Sequence, residues 1–280
     1  DDIARKTKEI FTYFSGSSVI YKAFNEIRRG IQYVREIDSA LTELKKVTDE
    51  TAETYEKFLD TAAKTADKIG STIKDVVSST ADFARLGYSL EDAAMMAESA
   101  QILMNVSEFT DISTATDSLI SSIQAFRYTA EESMDVVDIL NTIGNNYAIS
   151  TADLATSLTK SSGSLVAANG TLEEAVALTA TANTIIQDAD VVGTALKTVA
   201  MRLRGTSVEE MESEGLDTDG FVESKSKLQS KIKSLSGIDI LTDAGAYKST
   251  YQILSEIAEV WEDMNDMEQA ECCLYVQKCA

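Results

Sequence analysis

Apolar residues along this chain recur at intervals of three and four, the spacing of an amphipathic helix rather than of a strand. One helical phrase is written three times. Ala93, Met96, Ala100 and Leu103 stand at plus 4, 7, 11 and 14 from Ser89. Ser133, Val136, Leu140 and Ile143 keep those offsets from Thr129, and Ala175, Leu178, Ala182 and Ile185 keep them from Thr171. The copies follow at 40 and 42 residues, a period typical of a repeated supersecondary unit. Each opens on a capping box, Ser89-Leu90-Glu91-Asp92, Thr129-Ala130-Glu131-Glu132 or Thr171-Leu172-Glu173-Glu174. There the hydroxyl accepts from a first-turn amide and the carboxylate reaches back to the cap residue. Phe83 and Leu86, Ile123 and Phe126, and Leu165 and Ala168 precede the boxes at minus 6 and minus 3. The unit therefore reads as an αα-hairpin whose first helix starts at Ser71, Ser113 or Ser150.

The flanks are helical too. Ile20, Phe24, Ile27, Ile31, Val34, Leu41 and Leu44 give one seam to a helix over about 18–48, about 45 Å long at 1.5 Å per residue. A seam of that length calls for a partner helix, in this chain or in a coiled coil with another. Residues 1–14 predict a short helix before it. Thr48 is the expected start of a second helix, with Tyr55, Leu59, Ala62, Ala66 and Ile69 on one face and Gly70 at its end. Asp190 is the expected cap of a fourth first helix bearing Val192, Leu196, Val199 and Leu203. Ser207-Val208-Glu209-Glu210 repeats the box, but Glu214 breaks the stripe and Gly215 to Gly220 interrupt it. A Lys-rich helix over 222–235, a short extended piece at Ile238 to Leu241 and a last helix capped by Ser249-Thr250 complete the pattern. The fold class is all-α: long N-terminal amphipathic helices over 1–70, about three to four αα-hairpin repeats over 71–205, a linker over 206–221, and C-terminal helices over 222–280.

Composition sharpens this picture. Proline is absent from all 280 residues, where average usage of about 5% would place roughly 14, and its absence favours uninterrupted helices. Histidine is also absent, which removes His-based acid/base and nucleophile chemistry and every His-containing metal site. A net charge of -21 argues against clamping a phosphate backbone, so no specific nucleic-acid site is expected. The longest uncharged run, Ile139 to Ala152, is 14 residues, short of the roughly 20 that span a bilayer. Cys272, Cys273 and Cys279 match no zinc or redox spacing. The acid pairs Glu91-Asp92 and Glu173-Glu174 are explained as cap residues. No catalytic, cofactor-binding or metal-ligating residue is expected. Asp1-Asp2 without a Met or a signal-peptide pattern reads as an excerpt of a longer protein.

Particular stretches add a resemblance. EIDSALTELKKVT (Glu36 to Thr48), FARLGYS (Phe83 to Ser89), VGTALKTVAMRLRG (Val192 to Gly205) with DTDG (Asp217 to Gly220), and YQILSEIAEVW (Tyr251 to Trp261) resemble the core region of tail tape measure proteins of long-tailed phages and prophages. The match is collinear from about residue 30 to 270. Beyond Met267-Glu268-Gln269-Ala270 the Cys-bearing end departs from it. The resemblance implies a structural virion protein, made in the bacterial host cytoplasm, that lies in the tail lumen and sets tail length during tube assembly. Its implied partners are the tail tube, the tail assembly chaperone and baseplate proteins; self-association through the long helices is an expectation from the seam itself. A HEAT-like protein-binding scaffold is the alternative that the repeat period allows. An enzyme is not expected.

Overall fold

The computed structural model describes residues 18–216 and 225–276. Among them the chain is all-α, as its periodicity predicts. The expected helix over 1–14, the DTDG stretch and Cys279 lie outside the described residues. Two compact units are present, Asp1–Leu90 and Glu91–Ala280.

The first unit holds α1 (Ser18–Val47), α2 (Ala52–Ile69) and α3 (Ile73–Arg85). The C-terminal part of α1 packs on α3 through Ala40, Leu41 and Leu44, and α2 packs on α3 beside it. Thr48 does not start α2. Its hydroxyl donates to the Leu44 carbonyl (2.8 Å) and meets the Tyr55 hydroxyl (2.7 Å), so it ties off the end of α1. The cap of α2 is Thr51, whose side chain accepts from the Thr54 amide. Gly70 ends α2 at φ 71°, in the left-handed region that costs glycine least. Phe58 joins the buried face of α2, although it lies off the stripe read from the sequence.

In the second unit α4 (Leu90–Val106), α5 (Ile112–Phe126), α6 (Ser133–Asn146), α7 (Thr151–Ala167), α8 (Leu172–Ile186) and α9 (Ala189–Leu203) follow one another through short turns. Alternate helices share a layer: α5, α7 and α9 stack side by side, and α8 lies on α6. The most surrounded helix, α7, is also rich in hydroxyls. Ser157, Ser161 and Ser162 are buried on it. The Ser161 hydroxyl donates to the Ser157 carbonyl (3.0 Å) and that of Ser162 to the Leu158 carbonyl (2.6 Å). Such back-bonding satisfies the hydroxyl within its own helix and leaves a small, nearly apolar surface. Helices can then approach closely. A Cβ built on Gly193 of α9 would lie 2.6 Å from the Ser157 carbonyl oxygen, so the α7–α9 crossing requires glycine at that point.

Caps set the turns, and several differ from the sequence reading. Ser150 caps α7 as expected, but Thr72 caps α3 in place of Ser71, and Asp111 caps α5 in place of Ser113. The Asp111 carboxylate accepts both the amide and the hydroxyl of Thr114, and these bonds lower its pKa. A charged acceptor displaces a hydroxyl two residues on because its bonds are stronger. Likewise α9 is capped by Asp188, not Asp190. The box at Thr129 forms only by half. The Glu132 carboxylate accepts from the Thr129 amide at 2.8 Å, and the helix proper begins at Ser133. Gly170 is not left-handed. Asn169 takes that conformation at φ 59°, while a Cβ on Gly170 would meet the Leu165 carbonyl oxygen at 2.9 Å.

The Thr171 box closes completely. The Thr171 hydroxyl accepts from the Glu174 amide and the Glu174 carboxylate from the Thr171 amide, each at 3.3 Å. Thr171→Ala is expected to lower the stability of the second unit by about 1 kcal/mol, read as a fall in the urea midpoint at constant slope.

Beyond α9, the Ser207 box starts a short helix, α10 (Val208–Ser213), and α11 (Lys225–Ser236), α12 (Thr250–Val260) and α13 (Asp266–Val276) follow. The extended piece expected at Ile238 to Leu241 is a loop closed by a single antiparallel bridge between Leu241 and Tyr247. Ser249 caps α12 through a complete box with Gln252. Val199 and Leu203 of α9 share a core with Leu228, Ile232, Ile253 and Ile257. Cys272 is buried in that core, so the Cys-bearing end supplies packing on α13.

Candidate docking surfaces

The acid pairs occupy helix starts. Glu173 and Glu174 lie in the first turn of α8, and Glu91 and Asp92 in that of α4. Among the described residues no three Cys, Asp or Glu side chains gather where a metal ion would be held, and no helix is long and apolar enough to cross a membrane. Among the described residues the fold builds a cleft at each end of the helix array and an apolar groove.

One cleft, of about 530 Å³, opens where the α6–α7 turn meets the α8–α9 turn. Asn183 fastens the two turns by donating to the Ala148 carbonyl at 3.0 Å. Gln187 ends α8 in the left-handed conformation at φ 53°, and the Asp188 carboxylate then accepts from the Asp190 and Val191 amides. Asp153, Asp188 and Asp190 make the lining acidic, with Lys160 paired to Asp190 at 2.7 Å. Near these turns in sequence, Tyr147, Ile185, Ile186 and Val191 are exposed. The sequence reading placed Ile185 on a buried stripe, and it is 87% exposed. In the first two phrases plus 7 and plus 11 are buried. In α8 the buried face has turned to Val176, Thr179, Ala180 and Asn183.

The opposite end holds a cleft of about 580 Å³ between the α5–α6 and α7–α8 turns. Arg127 is left-handed there at φ 61°. Partial burial and the carboxylates of Glu173, Glu132 and Asp135 raise the pKa of Tyr128. The third feature is a groove of about 400 Å³ between α12 and α13, lined by Leu254, Ile257, Trp261, Cys272 and Val276.

The Lys-rich face of α11 is in part an intramolecular tie. Lys233 donates to Asp239 at 2.8 Å, and the same carboxylate accepts from Gln229 and from the Leu241 amide. These bonds, that of Lys233 foremost, lower the Asp239 pKa from 3.8 to about 2. A depressed carboxylate pKa stabilises the fold above its unfolded value and loses that effect as pH falls through the folded one. Asp239→Asn is therefore expected to lower stability at neutral pH, by an amount limited to about 1 kcal/mol by solvent screening. Urea titrations of the two proteins should converge as pH falls from 4 towards 2.

The stretches that carry the resemblance do structural work. Phe83 is fully buried, Gly87 is left-handed at φ 94°, Gly193 is the α7–α9 crossing point, and Gly205 turns the chain after α9 at φ 70°. A family model described as phage-related minor tail protein matches residues 59–273. No solved structure matches the chain.

Proposed function

The chain belongs to the family of phage-related minor tail proteins, and from that premise we propose that it is a core segment of a tail tape measure protein. Membership makes it a structural component of a phage tail. Our reading goes further: the segment occupies the tail lumen, contributes its length to the ruler along which the tube polymerises, and carries no catalytic, cofactor or metal site. Its partners are then the tube, the assembly chaperone and baseplate proteins.

The observation that carries the length reading is a seam that ignores a turn. Ala175, Leu178, Ala182, Ile185, Ala189, Val192, Leu196, Val199 and Leu203 alternate at three and four residues straight through the break between α8 and α9. Such spacing is that of a coiled-coil face. In the folded array the break at Gln187 and Asp188 interrupts it and leaves Ile185 in solvent. A left-handed non-glycine residue costs about 1–2 kcal/mol, so tertiary packing and the Asp188 cap hold this turn. Without that packing, residues 172–203 have the pattern of one helix. The compact array is accordingly the isolated form, and the extended helix is the measuring form. At 1.5 Å per residue the 280 residues would span about 420 Å.

An in-frame deletion of residues 111–150 in the encoding gene tests this: tails shorten, and tails of unchanged length overturn it. The two-layer stack of α5 to α9 also supports a second reading, a helical-repeat binding scaffold. On that reading the deletion abolishes partner binding and leaves tail length alone.

A further inference from the structure

Asn169 and Gly170 form the one Asn-Gly pair of the sequence, and they stand in the turn between α7 and α8. In such a pair the backbone nitrogen after the asparagine can close on the side-chain amide to give a five-membered imide, because glycine has no side chain to hinder the approach. The fold requires glycine here for its own reason. The Gly170 amide donates to the Leu165 carbonyl at 2.8 Å, and a Cβ on Gly170 would lie 2.9 Å from that oxygen.

Three features of the closed turn hold the imide reaction back. The Asn169 amide donates to the Val166 carbonyl at 2.9 Å and the Gly170 amide to that of Leu165, the paired bonds of a helix that ends on a left-handed residue. The attacking nitrogen is thereby occupied. Asn169 is that left-handed residue, at φ 59°. The left-handed well sets Cβ beside the residue's own carbonyl oxygen, so the Gly170 nitrogen, on the other side of the same carbonyl carbon, points away from the side chain. Finally, the Asn169 side-chain amide donates to the Tyr247 carbonyl at 2.8 Å, which anchors the leaving group on the loop before α12.

We propose that Asn169 is a self-modification site gated by this turn, held unreactive while the turn is closed and converted by its own chain and water once it opens. In the first step the Gly170 nitrogen bonds to Cγ of Asn169, the Cγ–Nδ2 bond breaks, and ammonia leaves with the proton that the Gly170 nitrogen gave up. Water then adds to one of the two imide carbonyls and breaks its bond to that nitrogen. Attack at Cγ restores the ordinary backbone with an aspartate side chain, and attack at the backbone carbonyl diverts the chain through Cγ as isoaspartate. No oxidant or reductant takes part. Both products lose the donor that met the Tyr247 carbonyl and gain a carboxylate, which can only accept. Isoaspartate also lengthens the turn by one backbone carbon. The closed turn is then not regained, and a sufficiently long opening leaves a permanent mark. The proposal stands on the turn itself and not on the tail reading.

The full chain is kept in warm, mildly alkaline buffer with and without guanidinium chloride, and conversion at position 169 is followed by peptide mass spectrometry. The folded chain is expected to convert at least about tenfold more slowly than the denatured one, since it reacts only from the fraction of molecules with the turn open. Thr171→Ala removes the cap of α8 beside the turn. It is expected to speed conversion of the folded chain by about fivefold and to leave the denatured rate unchanged. Converted chains, separated by their added negative charge and returned to buffer, are expected to unfold at a lower denaturant midpoint than unconverted ones. Equal rates in the folded and denatured chain, a folded rate that Thr171→Ala leaves unchanged, or converted chains that regain the unconverted midpoint overturn the proposal.

Discussion

Gly193→Val is expected to cost the second unit about 3 kcal/mol or more, the upper range for overpacking a filled core. A Cβ at this position meets the Ser157 carbonyl oxygen at 2.6 Å and both Ser157 Cα and Lys160 Cβ at 3.1 Å. Two of these are backbone atoms, so relief requires α7 and α9 to separate, and valine adds two further carbons. The consequence reaches past one contact, because α7 also packs against α5, α6 and α8. Against the 5–15 kcal/mol typical of domain stability, such a loss is large. Urea unfolding followed by circular dichroism should show a much lower midpoint. Gly163→Ala is the control: it lies on the same helix α7 with open space around its Cα, and it should gain up to about 1 kcal/mol of helix propensity. Equal effects of the two substitutions would refute the crossing as described.

Much of the helical content was legible because its signals are local. The Thr171, Ser207 and Ser249 boxes and the Ser150 cap are each a hydroxyl placed before an apolar period, and Gly70 is a glycine after one. Where two candidates competed, the reading failed. Asp111 and Asp188 cap helices that the sequence reading started at Ser113 and Asp190, since either choice satisfies the local pattern and packing selects one. The left-handed residues Arg127, Asn169 and Gln187 carry no glycine signal at all. Serine content hid the most important helix: α7 looks polar in one dimension, yet its Ser161 and Ser162 hydroxyls bond backwards and its face is buried. The exposure of Ile185 is hidden for a related reason. Ile185 fits the stripe that repeats from phrase to phrase, and only the rotation of α8 about its axis puts it in solvent. Periodicity fixes which residues share a helix face, but the direction that face points is decided by the crossing of neighbouring helices.

The long helix α1 was readable from its seam, and among its described side chains those of its C-terminal part pack against α3. The lysines of α11 read as a solvated face. Lys233 is instead part of the knot that ties α11 to the loop at Asp239, a pairing six residues apart that no helical period announces. The proposed tail-length role is not legible in any single side chain. It rests on the seam that runs through the α8–α9 turn, which is why its decisive test is a length.

That test is electron microscopy of tails assembled with residues 111–150 deleted, left single or duplicated in tandem. If the segment measures as extended helix, each step changes tail length by about 60 Å, 1.5 Å for every residue removed or added. Hairpins that stayed folded and stacked would change it by only about 10 Å per step, one interhelical spacing, and would contradict the opening of the array. Tails of one length across all three genes would contradict the ruler itself.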